Sequence, residues 1–166
     1  LVIYSYTKRF TWLCHYVLGL TIGAAAAGGW IAVTGSFAPT AYALWAGVGL
    51  WIAGFDILYA TQDYTFDRAH GVKSIPARFG TPQALRVARA SRVLAWLAFL
   101  WAGVSYGAGP LYYLGLLLVG GLLLLEHRLV SPEDLSKVEV AFFQANVGVS
   151  LGMFLFIVLD LLARGA

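Results

Sequence analysis

Charge is scarce in this chain: Asp, Glu, Lys and Arg make up 11% of its 166 residues, against about 25% in an ordinary soluble domain. A water-soluble globule with a charged coat is thereby excluded. Cysteine is scarcer still. The single Cys14 can form no internal disulfide and has no second thiolate for a structural zinc site, so it reads as a small apolar filler within a helix. The sole methionine is Met153, and Leu1 to Phe10 lack the basic, apolar and small-residue order of a signal peptide. The chain is therefore expected to begin inside a larger protein. No single basic stripe exists either, because the Lys and Arg residues alternate with long apolar spans, and nucleic acid is set aside as a partner.

What is abundant is apolar surface. Hydrophobic residues make up 60% and aromatics 15%, the glycines number 19, and the mean hydropathy is +0.78. This is the composition of an all-α, polytopic membrane bundle, whose lipid-facing side needs no polar coat. Five stretches reach, or can be extended to, the roughly 20 residues that a membrane crossing needs. They are Trp12 to Val33, Thr40 to Ala60, Val93 to Ala108, Pro110 to Leu125 and Val138 to Leu162. The third can be extended backward through Arg92, Arg89 and Arg86, whose long side chains can snorkel, and the fourth forward through Glu126.

Local punctuation supports these boundaries. Thr81-Pro82 reads as an N-cap followed by proline, and Ser131-Pro132-Glu133-Asp134 repeats the pattern with acids in the first turn. Tight turns are expected at Thr34 to Pro39 and at Gly107 to Pro110. Ten of the eleven Lys and Arg fall on one side of the five spans, leaving only Arg164 on the other. The positive-inside rule makes the basic side cytoplasmic, and an inner bacterial membrane is the expected setting.

One segment, Asp56 to Gly80, holds more charge than a connector needs. At 100° per residue, a helix running on from Asp56 to Asp67 would gather Asp56, Asp63 and Asp67 in an arc of about 40°, with Tyr59 beside it. Three like charges on one face repel one another, so something positive should sit between them. Mg²⁺ suits, since it takes oxygen ligands and commonly binds through one or two carboxylates plus substrate phosphates. Arg68, Lys73 and Arg78 are then available to neutralise the remaining phosphate oxygens. A plain connector of mixed charge would share this spacing. Asp56 favours a site, because a carboxylate inside a span costs about 2.5–3.5 kcal/mol on insertion scales. Gly71 is expected to end the helix, and Ser74-Ile75-Pro76 to turn the chain back.

Read as a string, Asp56, Tyr59, Asp63, Asp67, Gly71, Ser74 and Pro76 resemble the second aspartate-rich motif of the UbiA superfamily of intramembrane aromatic prenyltransferases. The run Ile75 to Gly80 continues it as in the 4-hydroxybenzoate polyprenyltransferase branch. Upstream, Tyr4 and Lys8 match the family's Y-x-x-x-K element. The resemblance implies spans five to nine of a nine-helix fold, so that residues 1–166 form the C-terminal part of a single domain. Four helices and a first aspartate motif would then lie elsewhere in the same protein, and this stretch alone would be inactive. It also implies the reaction: a polyprenyl diphosphate, held by Mg²⁺, ionises and alkylates an aromatic quinone precursor such as 4-hydroxybenzoate, on the route to ubiquinone. Asp56, Asp63 and Asp67 would hold the metal, Lys8 the diphosphate, and Tyr59 or Tyr4 would face the allylic cation. Gly29 to Gly35 and Ala141 to Asn146 look more like the branch with naphthalene-type acceptors in menaquinone synthesis. A non-catalytic, ion-binding transporter component is the rival from another class; it should carry acids at mid-membrane and broken spans.

Other polar residues read more plainly. His15 is taken as interfacial, His70 as a helix-end residue, and Asn146 as an interhelical hydrogen-bonding group. Glu139 and Asp160 are taken as solvated or paired. Trp12, Trp30 and Trp51 are assigned to an aromatic belt, and the glycines from Gly19 to Gly29 to a small-residue surface for close helix packing.

Overall fold

The computed structural model describes the backbone of residues 2–129 and 138–165 and the side chains of residues 6–125 and 146–165. Eight helices follow one another: α1 Val2–Phe10, α2 Cys14–Thr34, α3 Pro39–Tyr59, α4 Tyr64–Ala69, α5 Ile75–Phe79, α6 Thr81–Tyr106, α7 Pro110–Leu129 and α8 Val138–Ala163. The fold is all-α, with no strand among the described residues. Helices α2, α3 and α6 and the Asn146–Ala163 part of α8 are long and apolar enough to cross a membrane, and α7 contributes a shorter apolar stretch, Pro110–Leu125. The side chains of Tyr4, Glu126, Arg128 and Glu139, the start expected at Ser131-Pro132-Glu133-Asp134, and Lys137 lie outside the described residues.

The expected breaks have identifiable chemistry. Helix α2 stops at Gly35, which adopts φ +66° and donates its N–H to the Ile31 carbonyl at 2.8 Å. Pro39 opens α3 with its φ already near the helical value. Helix α6 starts at Thr81, where Thr81-Pro82 predicted a helix start, and runs without interruption through Arg86, Arg89 and Arg92 as the backward extension required. Arg86 and Arg89 are exposed, so charge on one face does not stop the helix. Gly80, at φ +83°, occupies the cap position assigned to Thr81. Arg92 does not snorkel: it is buried among the helices, its guanidinium 5.4 Å from the centre of the Trp51 ring.

Helix α3 is the central element, flanked by α2 and α6, while α7 and α8 pair with each other. Glycine permits the α2–α3 approach. A Cβ on Gly19 would overlap the Gly49 carbonyl, and one on Gly23 would lie 2.6 Å from the Trp45 carbonyl oxygen. Gly28 and Gly29 meet nothing within 4 Å, so the packing surface is the first half of the glycine run only. The second pair is fastened by Val119, Leu123 and Val149 against Trp51, Trp96 and Met153. Trp51 is thus a core residue, correcting its place in an aromatic belt, and its Nε1–H donates to Asn146 Oδ1 at 3.0 Å. That bond is the interhelical role expected for Asn146.

Candidate functional site

The basic end of the bundle is built on a small apolar floor, Ile57, Leu58, Ile75, Ala84, Leu85 and Ala88, with Trp12 and Tyr16 packed against it. Above that floor the helix expected to run on through Asp67 breaks. Helix α3 ends at Tyr59, residues 60–63 form turns, and α4 restarts at Tyr64. The Thr61 hydroxyl donates to the Leu58 carbonyl at 2.6 Å, and Thr61 N–H to the same carbonyl at 3.1 Å, tightening the backbone out of α geometry. The single arc of Asp56, Asp63 and Asp67 therefore does not form. Among the described residues no three His, Cys, Asp or Glu side chains stand close enough to hold a metal together.

Each carboxylate instead has its own surroundings. Asp56 Oδ2 lies 2.7 Å from His15 Nδ1. Asp67 is buried, and its Oδ2 accepts the Ser74 hydroxyl at 2.8 Å. Asp63 is exposed, one helical turn before Asp67, and its carbonyl accepts the Asp67 N–H at 2.8 Å. These two therefore retain the i,i+4 relation that lets one ion reach both.

The loop after α4 is closely specified. Gly71, at φ +67°, ends the helix as expected, and the Val72 N–H reaches back to the Asp67 carbonyl at 2.9 Å in a Schellman arrangement. Lys73 is strapped to α1: its N–H donates to the Lys8 carbonyl at 2.8 Å and its Nζ to the Phe10 carbonyl at 3.3 Å. The Cys14 thiol, buried as expected, donates to the Lys73 carbonyl at 3.5 Å. Ser74 caps α5, its Oγ accepting the Ala77 N–H at 3.2 Å.

These bonds shape a cavity of about 280 Å³ lined by Trp12, Asp67, Arg68, Lys73, Ser74 and Arg78 with neighbouring backbone. Three of the four residues expected to hold diphosphate thus face one space beside one buried carboxylate. Arg78 is held in place by two rings, its guanidinium 5.4 Å from Trp12 and 5.3 Å from Phe79. Arg68 donates to the Tyr64 hydroxyl at 2.9 Å. Asp56, Asp63, Tyr59 and Lys8 are not among the residues lining the cavity, and Tyr59 is half-exposed at the end of α3. The side chain of Tyr4 lies outside the described residues.

Three residues take roles that the reading of the sequence did not give them. His15 is wholly enclosed, not interfacial, and its Nε2 accepts the Ile75 N–H at 3.3 Å. Trp12 lines the cavity instead of marking a lipid belt, and Ser74 orients Asp67. One signal pointed to His15. An acid inside a span needs a partner at its own depth, and His15 opens α2 at the end where Asp56 nears the close of the antiparallel α3. His70 is the helix-end residue expected, its Nδ1 3.0 Å from the Phe66 carbonyl oxygen.

The fold and the site together define a helical membrane bundle with a cationic cavity at one end. The family follows from comparison with known proteins: residues 1–157 match the UbiA prenyltransferase family, and the chain belongs to it. It is 33% identical over 168 residues to a 4-hydroxybenzoate octaprenyltransferase of Nitrosospira multiformis, covering 98% of this chain and 56% of the relative. It is 35% identical over 156 residues to the enzyme of that name from Methylococcus capsulatus, covering 91% and 52%. The fold matches the apo structure of a UbiA homolog from Aeropyrum pernix K1 with a TM-score of 0.80 at 30% identity, over 95% of this chain and 59% of that one. The chain spans about half the length of the curated relatives it matches. Its apolar helices and its family make it part of an integral membrane protein.

Proposed function

We propose that this chain takes part in transferring a polyprenyl group from a polyprenyl diphosphate to an aromatic quinone precursor, 4-hydroxybenzoate, with Mg²⁺ as the metal. The observation that carries this reading is the cavity in which Asp67 meets Arg68, Lys73 and Arg78. One carboxylate among three cations is poorly suited to a cationic ligand and well suited to a dianionic or trianionic one partly neutralised by a metal. The activity for which the relatives in Nitrosospira and Methylococcus are named points the same way.

Asp63 and Asp67, one turn apart, would hold the ion between them and the phosphate oxygens, and Mg²⁺ would supply Lewis-acid stabilisation of the leaving diphosphate. Residues 1–166 form the C-terminal part of one domain in this reading, with a first aspartate motif supplying further oxygens from helices outside this chain. Lys73 and Arg78 neutralise charge that develops on the diphosphate as its allylic C–O bond breaks. Arg78 already rests against Trp12 and Phe79 at the cavity wall, which limits the reorganisation this needs. The aromatic ring then forms the new C–C bond and releases its proton. The basic end, and the cavity with it, faces the cytoplasm.

The test supplies a labelled polyprenyl diphosphate, with 4-hydroxybenzoate or other aromatic acids, to the full-length protein in membranes. Wild type transfers the label only with a divalent cation, and Asp63→Ala loses transfer by a factor of about 100 or more while inserting normally. Turnover that survives Asp63→Ala would remove that residue from the site.

A further inference from the structure

We infer that His15 is a positioning residue: a neutral imidazole, protonated at Nδ1 and bare at Nε2, that latches the loop forming the diphosphate cavity to the middle of the bundle. The inference rests on the reading of that cavity proposed above. His15 Nδ1 stands 2.7 Å from Asp56 Oδ2, and His15 Nε2 stands 3.3 Å from the Ile75 nitrogen. A backbone amide can only donate, so Nε2 must offer its lone pair. The ring proton therefore sits on Nδ1 and is given to the Asp56 carboxylate. Both ring nitrogens are used, and the side chain is 0% exposed.

A histidine oriented by an aspartate usually suggests a general base. Here the geometry says otherwise. The nitrogen that would take a proton is already occupied by the Ile75 amide, and no substrate atom can approach an enclosed ring. What the ring does reach is Ile75, the first residue of α5. The residue before it, Ser74, donates to Asp67 and accepts from the Ala77 amide. Three residues on, Arg78 lines the cavity. One side chain on α2 thus joins an acid on α3 to the segment that carries Ser74 and Arg78 and orients Asp67. Asp56 acts through His15, which accounts for a carboxylate inside the span that does not line the cavity.

Gln can replace both bonds, since its amide nitrogen donates to Asp56 and its oxygen accepts from Ile75. Leu replaces neither and leaves the buried Ile75 amide and the part-buried Asp56 carboxylate without these bonds. Three measurements on the full-length protein test the latch. With ¹⁵N-histidine labelling, the resonances lost in His15→Gln identify His15 in wild type, and they should report a protonated Nδ1 and a bare Nε2. A protonated Nε2 overturns the assignment without any need for a stable variant. Amide exchange at Ile75 to Arg78 should quicken in His15→Leu while α3 stays unchanged, and His15→Gln should restore protection. Affinity for inorganic diphosphate with Mg²⁺ should fall about tenfold in His15→Leu and stay within about threefold of wild type in His15→Gln. Equal affinity in wild type and His15→Leu, or no rescue by Gln, overturns the latch alone. A wild-type protein with no affinity for diphosphate overturns the prenyl-transfer reading itself and this role with it, while the tautomer and exchange results would still report the hydrogen bonds.

Discussion

Buried aspartates stand at both ends of the bundle, and their surroundings differ. At the apolar end, Asp160 on α8 accepts the Gly109 N–H at 2.8 Å and the Tyr112 N–H at 3.3 Å, and Arg164 lies 3.7 Å away. It caps the start of α7 from a neighbouring helix. The cavity beside it, about 340 Å³, is lined largely by apolar groups such as Trp30, Val33, Leu44, Ile157 and Leu161. At the basic end, Asp67 has one hydroxyl donor and looks into a space shared with Arg68, Lys73 and Arg78. An acid in a membrane helix is a functional hypothesis by default, but the comparison narrows that rule. Asp160 is accounted for by the amides it binds, whereas the cations around Asp67 exceed what its own bonding requires. Surplus charge facing an open volume is the better mark of a site.

The sharpest way to break this contrast is to exchange the consequences of the two acids. Asp67→Ala should abolish measurable affinity for Mg²⁺-diphosphate, a loss of about 100-fold or more, because it removes a carboxylate proposed to hold the ion. Asp160→Ala should leave that affinity within about twofold and instead lower the thermal unfolding midpoint in detergent, as loss of a helix cap does. Diphosphate binding that depends on Asp160 would erase the distinction between the two ends. A smaller effect is expected within the cavity. Arg78→Lys keeps the charge but loses the flat guanidinium that packs beside the Trp12 and Phe79 rings, so diphosphate affinity should fall about three- to tenfold. An unchanged affinity would mean that only the charge of Arg78 matters.

The spans and the sidedness of charge were legible in the sequence because each depends on local composition. The boundaries of α2 and α3 follow Gly35 and Pro39, and the end of α4 follows Gly71, whose backbone angles demand such residues. The start of α6 was legible in Thr81-Pro82 and its passage through Arg86 and Arg89 in their long side chains, although Gly80 and not Thr81 holds the cap position. The break after Tyr59 was not legible. Ala60-Thr61-Gln62-Asp63 contains neither glycine nor proline, and the turn is set by Thr61 bonding back to Leu58. The charged residues that line the cavity were singled out by charge and motif, but Trp12 and the anchors were not, because the bonds from His15 to Asp56 and Ile75 join residues 41 and 60 positions apart. The inward turn of Arg92 onto Trp51 has the same cause: only the packed neighbours decide which way a long cation points.

The same comparison of ends can be drawn along α2 at the level of single methyl groups. Toward the basic end, Gly19 and Gly23 lie so close to α3 that a side chain on either would strike backbone atoms, which do not move aside cheaply. Toward the apolar end, Gly28 faces open space. A glycine in the middle of a helix with no close neighbour costs roughly 0.5–1 kcal/mol relative to alanine, because the freer backbone must be ordered. Gly28→Ala should therefore raise the stability of this 166-residue chain in detergent, by about 0.5 kcal/mol, measured from its unfolding curve. Repeating the substitution in the full-length protein sharpens the result. A gain there too would show that the face stays open, whereas a loss of stability would show that another part of the protein packs on Gly28 as closely as α3 packs on Gly23.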